Sequence, residues 1–108
     1  LYLRSVDEVK EFTLENYFSF LYVSSEECNV CKDLFPKVEE LLKKYPRIES
    51  RRMEINEVQG LAGHLSIFTI PAVILYINGM EYLREARFIS IEDLDRKIGR
   101  YYTMAADV

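Results

Sequence analysis

Ser25-Glu26-Glu27-Cys28-Asn29-Val30-Cys31-Lys32 is the stretch that decides how this chain is read. Cys28 and Cys31 are its only cysteines, and two residues separate them. Just before them runs a strand-like segment, Tyr17-Phe18-Ser19-Phe20-Leu21-Tyr22-Val23-Ser24, and just after them the pattern turns helical. A strand that delivers two thiols to a helix N-terminus puts them where free backbone N–H groups and the helix dipole favour a thiolate. A thiolate beside a second thiol can attack a disulfide and then be resolved by its neighbour. The pair therefore reads as redox-active.

Working outward, Val30, Cys31, Leu34, Phe35, Val38, Leu41, Leu42 and Tyr45 recur at helical spacing. Pro36 falls inside that helix and is expected to kink it, and Pro46 follows its end. Glu39/Lys43 and Glu40/Lys44 form i,i+4 pairs on the expected wet face. Upstream, Leu1 to Leu3 reads as a short strand and Ser5-Val6-Asp7-Glu8 as a capping box. Val6, Val9, Phe12 and Thr13 then make a helical stripe to about Asn16. Downstream come a polar-rich strand from Ile48 to Ile55 and a short helix or turn-helix from Glu57 to Leu65. An apolar strand from Ala72 to Ile77 follows, then a tight Asn78-Gly79 turn and a partner strand from Met80 to Phe88. Ser90-Ile91-Glu92-Asp93 opens a last helix with Ile91, Leu94 and Ile98 on one face. The order β-α-β-α-β-α-β-β-α predicts an α/β fold: one domain over residues 1–108, with a mixed central sheet flanked by helices on both faces.

Composition bounds the rest. The 108 residues, 49% apolar and 30% charged, suffice for a core without disulfide staples. A net charge of −4 argues against nucleic acid, which would want a clustered basic face. No run approaches the roughly 20 apolar residues of a membrane span. Two cysteines are no disulfide scaffold, so the cytoplasm is the expected compartment. The chain opens on Leu1 rather than Met, which leaves an exported location open if a signal was trimmed.

With these elements in place, the residues resemble the thioredoxin family over nearly the whole chain. Cys28-x-x-Cys31-Lys32 opens the second helix, Pro36 falls where the family has its helix-kinking proline, and Thr69-Ile70-Pro71 looks like its cis-proline motif, followed by the expected strand and hairpin. The resemblance implies a thioredoxin-like fold and a thiol–disulfide oxidoreductase. In it Cys28 attacks protein or small-molecule disulfides and Cys31 resolves the mixed disulfide. It also implies a cis Pro71 packed against the cysteines, with the Ile70 backbone pairing to a bound substrate strand. No cofactor or metal is expected. The partners are proteins with disulfides or thiols and an upstream reductase or thiol pool, with no nucleic acid and no membrane, and the chain acts as a monomer.

The departures are informative. The Trp usual before the first cysteine is Glu27, with Glu26 beside it, and the usual Gly-Pro between the cysteines is Asn29-Val30. The two carboxylates oppose thiolate formation while Lys32 and the helix N-terminus favour it, and no His lies between the cysteines. Cys28 is thus expected to be moderately acidified and the pair to be reducing or intermediate in potential. The family's buried Asp beneath the site is here Tyr22, and its Lys partner is Arg52. A phenol that titrates near pH 10 is no base at neutral pH, which leaves slower exchange, a water or Glu54 to serve. The Gly of the loop before the last helix is Arg87, flanked by Phe88, so Ile70, Pro71, Arg87 and Phe88 would meet the substrate at a rim carrying Glu26 and Glu27. His64, the sole histidine, and two cysteines fall short of a four-ligand zinc site. Tyr101-Tyr102 reads as packing. The alternative to an enzyme is a non-catalytic binding or redox-sensing module with the same groove.

Overall fold

A computed structural model describes residues 1–58 and 60–106. Gln59 and residues 107–108, which the expected domain and in part the expected 57–65 helix include, lie outside the described residues. The elements are α1 (Val6–Glu15), β1 (Phe18–Ser24), α2 (Asn29–Leu42), β2 (Ile48–Glu54), α3 (Leu61–Leu65), β3 (Ala72–Ile77), β4 (Met80–Ala86) and α4 (Ile91–Ala106).

The strands form one sheet in the order β2-β1-β3-β4. β1 lies parallel to β2, from Phe18 opposite Ile48 to Ser24 opposite Glu54, and antiparallel to β3. A parallel pair cannot be closed by a hairpin, so α2 is the crossover. All seven residues of β1 are buried, as expected of a strand covered on both faces. Its side chains alternate between two cores. Phe18, Phe20 and Tyr22 meet Leu34, Val38 and Leu41 of α2 and Leu94 and Ile98 of α4. Leu21 and Val23 meet Val9 and Phe12 of α1 and Leu61 and Leu65 of α3. The expected mixed sheet with helices on both faces is what forms. Asn78 (φ 54°) and Gly79 (φ 82°) both take the positive φ that a type I′ hairpin turn requires.

Several local expectations are corrected. Leu1 to Leu3 is not a strand; Tyr2 makes a single parallel bridge to Arg52. The Ser5 hydroxyl caps α1 by accepting from the Glu8 N–H, but the Glu8 carboxylate accepts from the Arg4 N–H, so the box is not reciprocal. Lys43 pairs with Glu40 one turn back, and Lys44 reaches across to Asp95 of α4 rather than to Glu40. β4 ends at Ala86, leaving Arg87 and Phe88 in the loop. Val30 is 60% exposed, one position off the buried stripe of α2. Tyr102 stacks on Phe18 with ring centroids 5.0 Å apart, and Tyr101 packs on Tyr82.

The C-terminal end of α2 is pinned to α4 by Asp95, which accepts from both Lys44 and the Tyr45 hydroxyl. These donors, Lys44 first, hold the Asp95 carboxyl below its ordinary value. A Cβ on Gly99 would lie 2.9 Å from that same Tyr45 oxygen, whereas nothing lies within 4 Å of one on Gly63. Gly99→Ala is therefore expected to lower stability by about 1 kcal/mol or more despite the better helix former. Gly63→Ala should raise it by about 0.5–1 kcal/mol. Urea midpoints of the two variants check both signs.

Candidate active site

β1 ends at Ser24, and the next three residues turn the chain so that the Cys28 N–H donates to the Ser25 carbonyl at 3.1 Å. Cys28 then takes the N-cap position of α2 with extended backbone (φ −89°, ψ 98°). Its sulfur accepts from the Cys31 N–H at 3.1 Å, satisfying one of the first-turn donors that the helix itself cannot. Cys28 and Cys31 form a disulfide with Cα atoms 5.3 Å apart. The two sulfurs are unequal: Cys28 is half-buried, whereas Cys31, one turn further in, is 1% exposed.

Beneath the pair, the Tyr22 hydroxyl donates to the Cys31 carbonyl at 2.6 Å. Burial, only partly offset by nearby Arg52, pushes Tyr22 up to about 12 from an ordinary 10.0. A phenol so placed stays neutral and acts as a tether between β1 and α2. Arg52 lies opposite Tyr22 in the strand register, but the hydroxyl does not bond to it. Its guanidinium lies over the rings of Phe35 (3.7 Å) and Tyr2 (4.9 Å), held by cation–π contacts.

The rim gathers around the cis Ile70–Pro71 peptide. The carbonyl of buried Pro71 accepts from the Arg87 N–H at 2.8 Å, which joins these two loops. Arg87 adopts φ 70°, the left-handed region that favours the Gly which the resemblance led one to expect there. Its guanidinium lies 5.0 Å from the ring of Phe88, which is 85% exposed. Arg87 and Phe88 line a cleft of about 360 Å³ with Val30, Leu34, Ile89 and Ser90. Ile70 packs against the α1–α3 core. Glu27 is exposed and makes no side-chain hydrogen bond or ion pair among the described residues. Lys32, also exposed, lines with Cys31 and Arg52 a second cavity of about 310 Å³ behind the pair.

Sequence reasoning counted Val30 as core and gave Tyr2 no role. Val30 was detectable as the residue just ahead of the buried Cys31–Leu34–Val38–Leu41 stripe. Tyr2 carried no local signal, since only strand pairing brings it to Arg52. Among the described residues no group of three or more His, Cys, Asp or Glu could hold a metal, and no helix is long and apolar enough to cross a membrane.

A disulfide that joins an outer, partly open sulfur to a buried inner one is what a thiol–disulfide oxidoreductase requires, and the chain is one. The thioredoxin family model matches residues 7–98. The thioredoxin-like protein YdfQ of Bacillus subtilis (strain 168) is 36% identical over 94% of this chain and 91% of its own length. This chain belongs to the thioredoxin family. Among solved structures, a mutant thioredoxin from Halobacterium salinarum NRC-1 superposes with a TM-score of 0.84 at 22% identity, covering 94% of this chain and 89% of that one. Thioredoxin 1 of the thermophile Thermosipho africanus TCF52B gives 0.74 at 27% identity, covering 82% and 98%.

Two substitutions test these placements. Tyr22→Phe should cost about 1–2 kcal/mol through the lost hydrogen bond. Because Tyr22 is raised in the folded state, its contribution is complete below pH 10 and lost as pH rises through about 12. The gap between wild type and variant should therefore narrow across that alkaline window, as urea titrations would read. At Arg87, Gly should be about 1 kcal/mol more stable than Ala, because only Gly escapes the left-handed penalty. Equal stability of the two would place the strain elsewhere.

Proposed function

We propose that the chain relays two electrons between an upstream reductase or thiol pool and disulfides in protein partners, acting as a monomer. The observation that carries this reading is the unequal burial of two sulfurs that are already within bonding reach. Cys28 attacks a partner disulfide and Cys31 resolves the mixed disulfide. The backbone of Ile70 and Pro71 receives the partner's extended segment, with Arg87 and Phe88 beside it. Lys32 and the helix N-terminus favour the Cys28 thiolate, and Glu27 opposes it. The cytoplasm, whose thiol pool keeps such a pair supplied with electrons, is the proposed compartment.

The partners are specialised ones. A cation and an exposed aromatic at the rim, where a glycine would admit any close backbone, narrow the set of chains that fit. Cys31→Ser should arrest exchange at the mixed disulfide, giving covalent adducts with protein substrates that dithiothreitol releases. Cys28→Ser should give none. Partner binding that is the same in both variants, with no adduct in either, would instead identify a non-catalytic binding module.

A further inference from the structure

The resolving step must remove a proton from a thiol that is 1% exposed. The hydroxyl bonded nearest to it, on Tyr22, is spent as a donor to the Cys31 carbonyl and remains a neutral phenol at physiological pH. The way out is the cavity of about 310 Å³ behind the pair, which Cys31 lines together with Glu26, Lys32, Arg52, Glu54 and Glu57. It has room for several waters at roughly 30 Å³ each. One wall atom calls for such a guest: the Arg52 Nε is buried and has no hydrogen-bond partner among the described residues. With three carboxylates against two cations in the wall, water fits there better than an anion.

The three carboxylates differ. Glu57 is paired with Arg4 at 3.3 Å and is half exposed, and Glu26 is open to solvent. Glu54, at the end of β2 opposite Ser24, is only 7% exposed and pairs with no cation among the described residues. One of its oxygens accepts from the Asn56 N–H at 2.9 Å, which fixes the group, and the other takes no hydrogen bond among the described residues. We infer that Glu54 is the proton acceptor for the resolving thiol, working through water in this cavity. The inference rests on Cys31 being the resolving residue, as proposed above.

In the Cys28–partner mixed disulfide, the Cys31 thiol passes its proton through a cavity water to the Glu54 carboxylate. The freed electron pair on the Cys31 sulfur attacks the Cys28 sulfur, and the Cys28–Cys31 bond forms as the Cys28–partner bond breaks. The partner sulfur leaves as a thiolate and takes a proton from solvent. The cysteine pair is oxidised by two electrons and the partner disulfide is reduced by two. Glu54 then returns its proton to water.

A stopped-flow reaction of the reduced protein with 5,5′-dithiobis(2-nitrobenzoate) separates the two steps. Attack by Cys28 releases the first coloured thiolate in a phase that depends on reagent concentration, and resolution by Cys31 releases the second in a phase that does not. Glu54→Gln, which keeps the acceptor for Asn56, should leave the first phase unchanged. It should slow the second about tenfold or more near pH 6.5. The deficit should close above about pH 8.5, where thiols ionise unaided. Glu54→Asp should recover part of the rate, and Glu49→Gln, on the same strand but outside the cavity, should match wild type. A second phase in Glu54→Gln identical to wild type at every pH, or both phases slowed together, overturns the assignment. Absence of any second phase in the wild type overturns the resolving role of Cys31 and the assignment with it.

Discussion

The first turn of α2 presents backbone N–H groups with no acceptor inside the helix, and the Cys28 sulfur supplies one for Cys31. Most of the site follows from that constraint. A cap must sit at the helix start, so Cys28 is held at the mouth, partly open to solvent. The residue whose N–H reaches the cap lies one turn further on and faces the sheet, so Cys31 is buried. The unequal exposure of the two sulfurs is thus fixed by backbone geometry. It needs a rigid platform, which β1 provides with seven buried residues between two partner strands.

What is unusual here is the choice of neutral tethers and aromatic contacts around that geometry. Tyr22 joins the central strand to the redox helix with one hydrogen bond and carries no charge at neutral pH. Arg52 is held by the faces of Phe35 and Tyr2 and pairs with no acid among the described residues. The buried carboxylate that serves the inner sulfur stands at the end of β2 rather than on β1, across the cavity that both residues line. At the rim, Arg87 accepts a backbone conformation better suited to glycine, which places a cation and the Phe88 ring beside the cleft.

The parts legible in sequence were those specified by local pattern. The unbroken apolar run of β1 announces a strand covered on both faces, Cys28 with the stripe behind it announces α2, and Asn78-Gly79 announces the hairpin. The cis Ile70–Pro71 peptide and the departure at Arg87 came from the family resemblance rather than from pattern. What stayed hidden depends on partners distant in sequence. Lys44 turns to Asp95 because α4 packs alongside, which helical spacing within α2 cannot disclose. Tyr2 matters only because strand pairing carries it to Arg52. Glu54 looks like any carboxylate in a polar strand until its end of β2 is seen to close a cavity shared with Cys31.

The reduction potential of the Cys28–Cys31 pair tests the whole picture most directly. The protein would be equilibrated in dithiothreitol and glutathione redox buffers and its thiols counted by the mass shift on alkylation. With a helix N-terminus and Lys32 acting for the Cys28 thiolate, Glu26 and Glu27 against it, and no His between the cysteines, a single two-electron transition is expected between about −230 and −280 mV. A value above about −180 mV, or failure to form the intramolecular disulfide at all, would contradict a reducing exchange site built on this cap.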